Sequence, residues 1–286
     1  MIAVLLWALL ALFTAASGKV PPFQLAAMSF AIGGTLGTLP LIVQPSRMKA
    51  FRQPLKVWLL GVCGLFGYHF FYFTALRNAP PVEAGLIAYL WPLLIVLLSS
   101  FLPGEQLKRH HVFGALIGFG GAALIVSNGG SFAFKTEFAF GYAVAFVCAF
   151  AWSGYSVLSR LFSSVPTYIV AAFCLVTAVL ATGCHLLLEE TVWPASTTEW
   201  LAVIGLGVGP VGVAFFVWDY GVKKGDIQVL GAASYGAPLL STLVLVVMGY
   251  AELSWTIALA CLLITGGACF AAKDMMLARG RRASED

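Results

Sequence analysis

The sequence predicts an all-α integral membrane protein of ten transmembrane helices, arranged as two inverted five-helix repeats. Three observations lead there. The 286 residues are 60% hydrophobic and 10% charged, more apolar surface than a water-soluble domain can hide. The apolar residues fall into ten continuous runs separated by short connections. The second half of the chain repeats the first.

A helix needs about 20 apolar residues to cross a bilayer, and lipid admits only helices and closed barrels as spanning forms. Continuous runs, not ten-residue alternation, select helices. The runs cover residues 2–16, 22–43, 54–78, 81–102, 108–127, 139–162, 166–188, 199–223, 226–249 and 253–276. Prolines and glycines separate them: Pro21-Pro22, Pro54, Pro80-Pro81, Pro103-Gly104, Asn128-Gly129-Gly130, Pro166 and Pro194. No hydrophilic linker is long enough to set soluble domains apart. Met1–Leu12 is apolar and is followed by Thr14-Ala-Ala-Ser, which looks like a signal cleavage site. No Lys or Arg precedes it, so the segment is read as structural. The tail from Arg279 to Asp286 is polar.

With the N-terminus placed in the cytoplasm, the cytoplasmic ends hold Arg47, Lys49, Arg52, Lys56, Lys108, Arg109, Arg160, Lys223, Lys224, Lys273, Arg279, Arg281 and Arg282. The outer ends hold Lys19, Arg77 and Lys135. A bias of 13 to 3 among the 16 basic residues predicts both termini inside. The same placement explains the net charge of +4 without nucleic acid as a partner. The six cysteines lie in apolar runs without a CxxC pair and read as small packing residues, neither disulfides nor metal ligands.

At an offset of 145, Trp7 matches Trp152, Pro21 matches Pro166, Gly64 matches Gly209 and Gly67 matches Gly212. After a one-residue insertion the offset is 146. Arg77 then falls on Lys223, Tyr89 on Tyr235, Pro92 on Pro238, and Gly120-Gly121 on Gly266-Gly267. The repeats are residues 1–135 and 136–286. Five helices per copy turn the second copy upside down, and the charges agree: four basic residues follow the second run, whereas Glu189, Glu190 and Glu199 follow the seventh. Inverted repeats are the build of secondary transporters, with a substrate site at the midplane between the halves.

Candidate site residues follow from depth and chemistry. Pro92 and Pro238 cannot donate to the carbonyls of Ala88 and Ser234, so each breaks its helix near mid-membrane and forms a pocket floor or gating point. Tyr68 and Tyr72 share a helix face, with Gly64 leaving room beside them. Tyr89 points toward the proline break. Trp91 is a further candidate, but lies about 200° around an ideal helix from Tyr89 and would face the same pocket only if the helix were distorted. Trp152 and Tyr235 complete the aromatic set, and Ser234, Ser241 and Thr242 offer hydroxyls to orient a zwitterion. Trp193, Trp200 and Trp255 fit an interfacial belt. His69 is ionisable at depth and could titrate or hydrogen-bond a carboxylate. His185, His110 and His111 are expected to be solvated. Asp219 has Lys223 as an i+4 partner. Gly61/Gly64 and Gly205/Gly209 are expected to permit close helix approach.

Ala75-Leu76-Arg77-x-Ala79, the Pro92 and Pro238 helices, Gly104-Glu105-x-Leu107 and its echo Tyr250-Ala-Glu252-Leu253 resemble the drug/metabolite transporter superfamily, EamA type. The resemblance covers essentially the whole chain. The Tyr, Trp and Phe content of the third and fourth runs is most similar to the aromatic amino acid exporters. The resemblance implies a bacterial inner-membrane carrier exporting aromatic amino acids by alternating access, without a cofactor, a monomer being sufficient. The first run lacks the acid that resemblance to the four-helix multidrug type would require. No buried basic pair suits sugar phosphates. A broader drug or organic-cation exporter is the alternative, since aromatic walls attract cations. An intramembrane enzyme would need a nucleophile with a base, paired carboxylates or a metal cluster, and no catalytic residues are assigned.

Overall fold

The computed structural model describes residues 1–127, 129–130, 134–249 and 254–274. All regular structure among them is helical: α1 (Ile2–Ala16), α2 (Pro22–Val43), α3 (Leu55–Asn78), α4 (Pro81–Phe101), α5 (Arg109–Ser127), α6 (Thr136–Phe162), α7 (Ile169–Leu188), α8 (Thr197–Lys224), α9 (Ile227–Val244) and α10 (Trp255–Ala271). Seven of these, α3 to α9, are long and apolar enough to cross a membrane. Helix α2 has 22 residues, a length of about 33 Å at 1.5 Å per residue. The shorter α1 and α10 are apolar too. The Tyr250–Leu253 motif and the Arg279–Asp286 tail lie outside the described residues.

Local chemistry starts the helices where the punctuation predicts. Pro22 and Pro81 occupy first-turn positions, where a missing N–H costs nothing. Ser196, Asp226 and Ser254 accept from the backbone N–H of Glu199, Val229 and Ile257. Glu189 closes α2 from another element: its carboxylate accepts from the N–H groups of Phe23 and Gln24, each at 3.1 Å. It places negative charge at the positive end of the helix dipole.

Helix α2 packs on α7, α5 on α10, α4 on α9, α3 on α6, and α8 on α1 and α2. Lipid gives apolar side chains no reason to leave it, so these contacts depend on close packing. Backbone meets backbone at glycines beyond those expected. A methyl carbon at Gly114 would lie 2.5 Å from the Gly267 carbonyl oxygen, and one at Gly267 would lie 2.5 Å from that of Gly114. Gly33 meets Gly207 and Gly212 in the same way. The expected Gly61, Gly64 and Gly205 also permit close approach, by seating the side chains of Phe173, Tyr155 and Phe13, whereas Gly209 has only ordinary contact with Leu6 at 3.7 Å.

Two helices contain a wide π turn, Cys63–Gly67 in α3 and Gly209–Val213 in α8, 146 residues apart. Two more are interrupted, α4 between Ala88 and Trp91 and α9 between Ala233 and Gly236. Both interruptions immediately precede the prolines expected to cause them.

Candidate functional site

Four tryptophans from four helices meet at the centre of the bundle. Trp7 lies 6.1 Å from Trp91, 5.8 Å from Trp152 and 5.0 Å from Trp218, between ring centroids. Trp91, Trp152 and Trp218 are buried. Two polar contacts fix the indoles. The Trp7 Nε1–H donates to the carbonyl of Pro210 at 3.1 Å, reaching the π turn of α8. The Trp218 Nε1–H donates to Ser156 Oγ at 3.0 Å. Phe215 joins the layer 5.5 Å from Trp152 and stacks on Phe30 at 5.6 Å.

On one side of this layer lie the tyrosines. Tyr68 is 5.7 Å from Trp152 and stacks on Tyr72 at 5.9 Å, with an interplanar angle of 7°. Tyr89, at the break of α4, lies near both phenols. These three rings and His69 are half-buried, as is Trp7, in contrast to the buried Trp91, Trp152 and Trp218. On the other side the layer rests on a buried polar network. Asp219 accepts from Tyr155 Oη at 3.3 Å and Thr167 Oγ1 at 2.8 Å, and pairs with Lys223 at 2.8 Å. Lys223 also donates to the Val165 carbonyl. Arg160 donates to the carbonyls of Val222 and Gly225 and pairs with Glu105 at 2.5 Å. The opposite end carries Arg77 and Glu189 at 2.8 Å.

The structure brings Tyr68, His69, Tyr72, Tyr89, Trp91 and Trp152 together. Trp91 enters the cluster because the break at Tyr89-Leu90 supplies the distortion an ideal helix lacks. Other expectations are corrected. Tyr235 does not line the cluster. It is fully buried, with its ring on Phe119 and Gly118, and its hydroxyl accepts the Leu93 N–H at 3.1 Å. That N–H is the one freed by the break in α4, so protein satisfies it and no ligand is needed. The hydroxyl of Ser234 turns back on the Leu230 carbonyl at 2.7 Å, and that of Thr242 on Pro238. His69 Nδ1 lies 2.7 Å from the Leu65 carbonyl, so this nitrogen carries the ring proton and Nε2 of the neutral imidazole keeps a lone pair. The terminal histidines are not solvated. His185 is buried against Glu189 and Thr191, and His110 and His111 are buried, their rings 4.2 Å apart.

Trp7, Phe215 and Trp218 were not foreseen as site residues. A signal existed: at the offset of 146, His69 falls on Phe215 and Tyr72 on Trp218. The π turns keep the same offset, which puts the insertion before residue 63. Among the described residues, no group of three or more His, Cys, Asp or Glu side chains could hold a metal.

The pattern of the EamA-like transporter family matches residues 1–127 and again 139–272. The chain belongs to the EamA-like transporter family. This transporter is 55% identical over 270 residues to the aromatic amino acid exporter YddG of Ancylobacter novellus, with 94% of each chain covered. It is 24% identical over 279 residues to the exporter of the same name from Escherichia coli, with 93% of each covered. One crystal structure is 54% identical and superimposes with a TM-score of 0.90, covering 97% of this chain and 96% of that one. The family and these relatives place the chain as a multi-pass membrane transporter, not an enzyme.

Proposed function

We propose that the transporter exports aromatic amino acids across the bacterial inner membrane, holding the substrate between the tyrosines and the tryptophan layer. The observation that carries this is the meeting of Trp7, Trp91, Trp152 and Trp218, with Tyr68 and Tyr72 stacked at its edge. Offset and edge-to-face ring contacts contribute about 0.5–1.5 kcal/mol each beyond burial, so an aromatic side chain gains more here than an aliphatic one. The polar end of the substrate needs a donor and an acceptor. The phenols of Tyr68, Tyr72 and Tyr89 donate to its carboxylate, and His69 Nε2 accepts from its ammonium. The relative from Ancylobacter novellus is an aromatic amino acid exporter by name, which agrees.

Residues 1–135 and 136–286 act as inverted repeats of five helices each, with both termini cytoplasmic. The two family matches, the paired π turns, the paired breaks and the 13-to-3 charge bias support this. So does the packing, in which the α3–α6 contact corresponds to the α8–α1 contact. The halves rock about the cluster, to which each contributes two tryptophans. In the conformation described, the Asp219–Lys223 end is closed and the half-buried tyrosines face the Arg77 end. Every group in the site comes from one chain, so a monomer suffices.

Counterflow in proteoliposomes tests the proposal. Labelled phenylalanine, tyrosine and tryptophan are expected to exchange saturably, and alanine and an organic cation are not. Preferential flux of the cation would replace the proposal with a broader drug exporter.

A further inference from the structure

A second concave region lies apart from the aromatic cluster, where the α6–α7 connection meets the C-terminal end of α8. It is a cavity of about 440 Å³ lined by Ser163, Ser164, Thr167, Tyr168, Phe216 and Lys224, among others. Its charge is unbalanced. Lys223, on its inner wall, is neutralised by Asp219. Lys224 is exposed and takes part in no ion pair among the described residues. Arg47 reaches the rim from beyond α2, donates to the Tyr168 hydroxyl and lies 4.6 Å over that ring, with no carboxylate partner among the described residues. Ser163 and Ser164 are exposed beside these two cations.

The cavity continues into an apolar furrow. The ring of Phe216 lies against Gly37, so α2 and α8 adjoin there. Helix α8 presents Val213 and Tyr220, at i and i+7 around Phe216, and α2 presents Leu36, Leu39 and Val43, all exposed. Both helices run in the same direction to the basic end. A polar, cationic recess at the headgroup level thus opens onto a stripe of apolar side chains running along the membrane. A basic pocket between helices near the membrane surface suits an acidic headgroup.

We propose that this recess binds an anionic phospholipid. Its phosphodiester is held by Lys224, Arg47 and the Ser163 and Ser164 hydroxyls, and an acyl chain lies along the Val213–Phe216–Tyr220 face. Thr167 and Lys223 belong both to the recess and to the Asp219 network, so a bound lipid braces the closed end of the transporter. The site is independent of the substrate reading and of which leaflet this end occupies.

Native mass spectrometry of the full-length protein, titrated with dioleoylphosphatidylglycerol or dioleoylphosphatidylcholine, tests it. Phosphatidylglycerol is expected to be retained at least about tenfold more strongly, the effect of 1.4 kcal/mol. Lys224→Gln and Ser163→Ala/Ser164→Ala are each expected to reduce that preference while leaving counterflow in phosphatidylcholine vesicles intact. Glycerol phosphate, which has the anion without the chain, is expected not to displace the lipid at millimolar concentration. Equal retention of the two lipids, or a preference unchanged by both variants, overturns the proposal. Displacement by glycerol phosphate overturns the lipid assignment and leaves a soluble phosphoester site.

Discussion

Leu93 and Tyr235 join the two broken helices: the backbone N–H of Leu93 donates to the phenolic oxygen of Tyr235 at 3.1 Å. In an unbroken α4 that N–H would bond to the Tyr89 carbonyl. Tyr235 sits at the break of α9, so a side chain from one interruption completes the other. Tyr235→Phe keeps the ring on Phe119 and Gly118 but leaves a partly buried donor unpaired, at a cost of up to about 1–3 kcal/mol. The unfolding free energy in detergent is expected to fall by that amount, with a lower thermal midpoint. Substrate KM is expected to change little, because Tyr235 packs in a separate apolar cluster and its hydroxyl is taken by Leu93. A stability equal to the wild type would remove Tyr235 from this role.

The aromatic cluster predicts a graded response. Tyr68→Ala, Tyr72→Ala and Trp152→Phe each delete or shrink ring contacts, and each contact contributes about 0.5–1.5 kcal/mol. Apparent affinity for an aromatic amino acid is expected to fall by about three- to tenfold in each. Trp193→Ala is the control, because Trp193 is 62% exposed and stacks only on Trp200 among the described rings. Tryptophan-fluorescence titration and initial-rate flux measure both. Equal losses in all four variants would refute the placement of the site.

What could be read in the sequence followed from local rules. Helix limits came from apolar runs bounded by Pro and Gly, and the breaks from prolines that remove an N–H. The Tyr68–Tyr72 stack came from i, i+4 spacing, and the Asp219–Lys223 pair from the same rule. What stayed hidden was tertiary. Nothing local tells Trp7 to reach the Pro210 carbonyl, since that oxygen is offered by a π turn in α8. Trp91 could share the pocket with Tyr89 only through a distortion whose shape the sequence does not give, and the break supplies it. Tyr235 and Ser234 occupy the right depth, but depth does not say whether a hydroxyl faces a cavity or its own helix. His185 looked solvated near the end of its helix, yet Glu189 folds back to cap α2 and buries it.

The Asp219–Lys223 pair predicts non-additivity. Both side chains are at least 92% buried by exposures of 1% and 8%. Lys223→Met leaves a carboxylate with Tyr155 and Thr167 but no cation, and breaking a buried pair costs about 3–5 kcal/mol. Asp219→Asn/Lys223→Met removes both charges and is expected to recover most of that loss. Denaturation of the purified single and double variants measures the coupling. Additive effects would mean that the pair contributes nothing as a pair.

The proposed topology predicts which loops face outward. In a background lacking the six native cysteines, a cysteine at Lys49 is expected to resist a membrane-impermeant thiol reagent applied to intact cells. A cysteine at Glu190, beyond the end of α7, is expected to react. Labelling of the first and protection of the second would invert the orientation while leaving the repeat in place.

Energy coupling is the last consequence of the geometry. Proton-driven carriers place a titratable group on the substrate path. The residues gathered around the tryptophan layer include no carboxylate. Asp219 lies beneath it, held by Lys223, Thr167 and Tyr155. His69 remains, with Nδ1 committed to the Leu65 carbonyl and its ring packed 4.9 Å from Phe30. Charging it would place a cation among aromatic rings with no anion beside it, so the neutral ring is the form this site favours. Transport is therefore expected to run down the substrate gradient, with weak dependence on an imposed pH gradient. His69→Gln keeps a polar group that can both donate and accept, and is expected to raise KM while leaving the pH response unchanged. Proteoliposomes loaded at equal substrate concentration inside and out, with and without a pH gradient, decide the matter. Accumulation above equilibrium that survives in His69→Gln and disappears in Asp219→Asn would assign the coupling to Asp219. Accumulation lost in His69→Gln would make His69 the proton carrier.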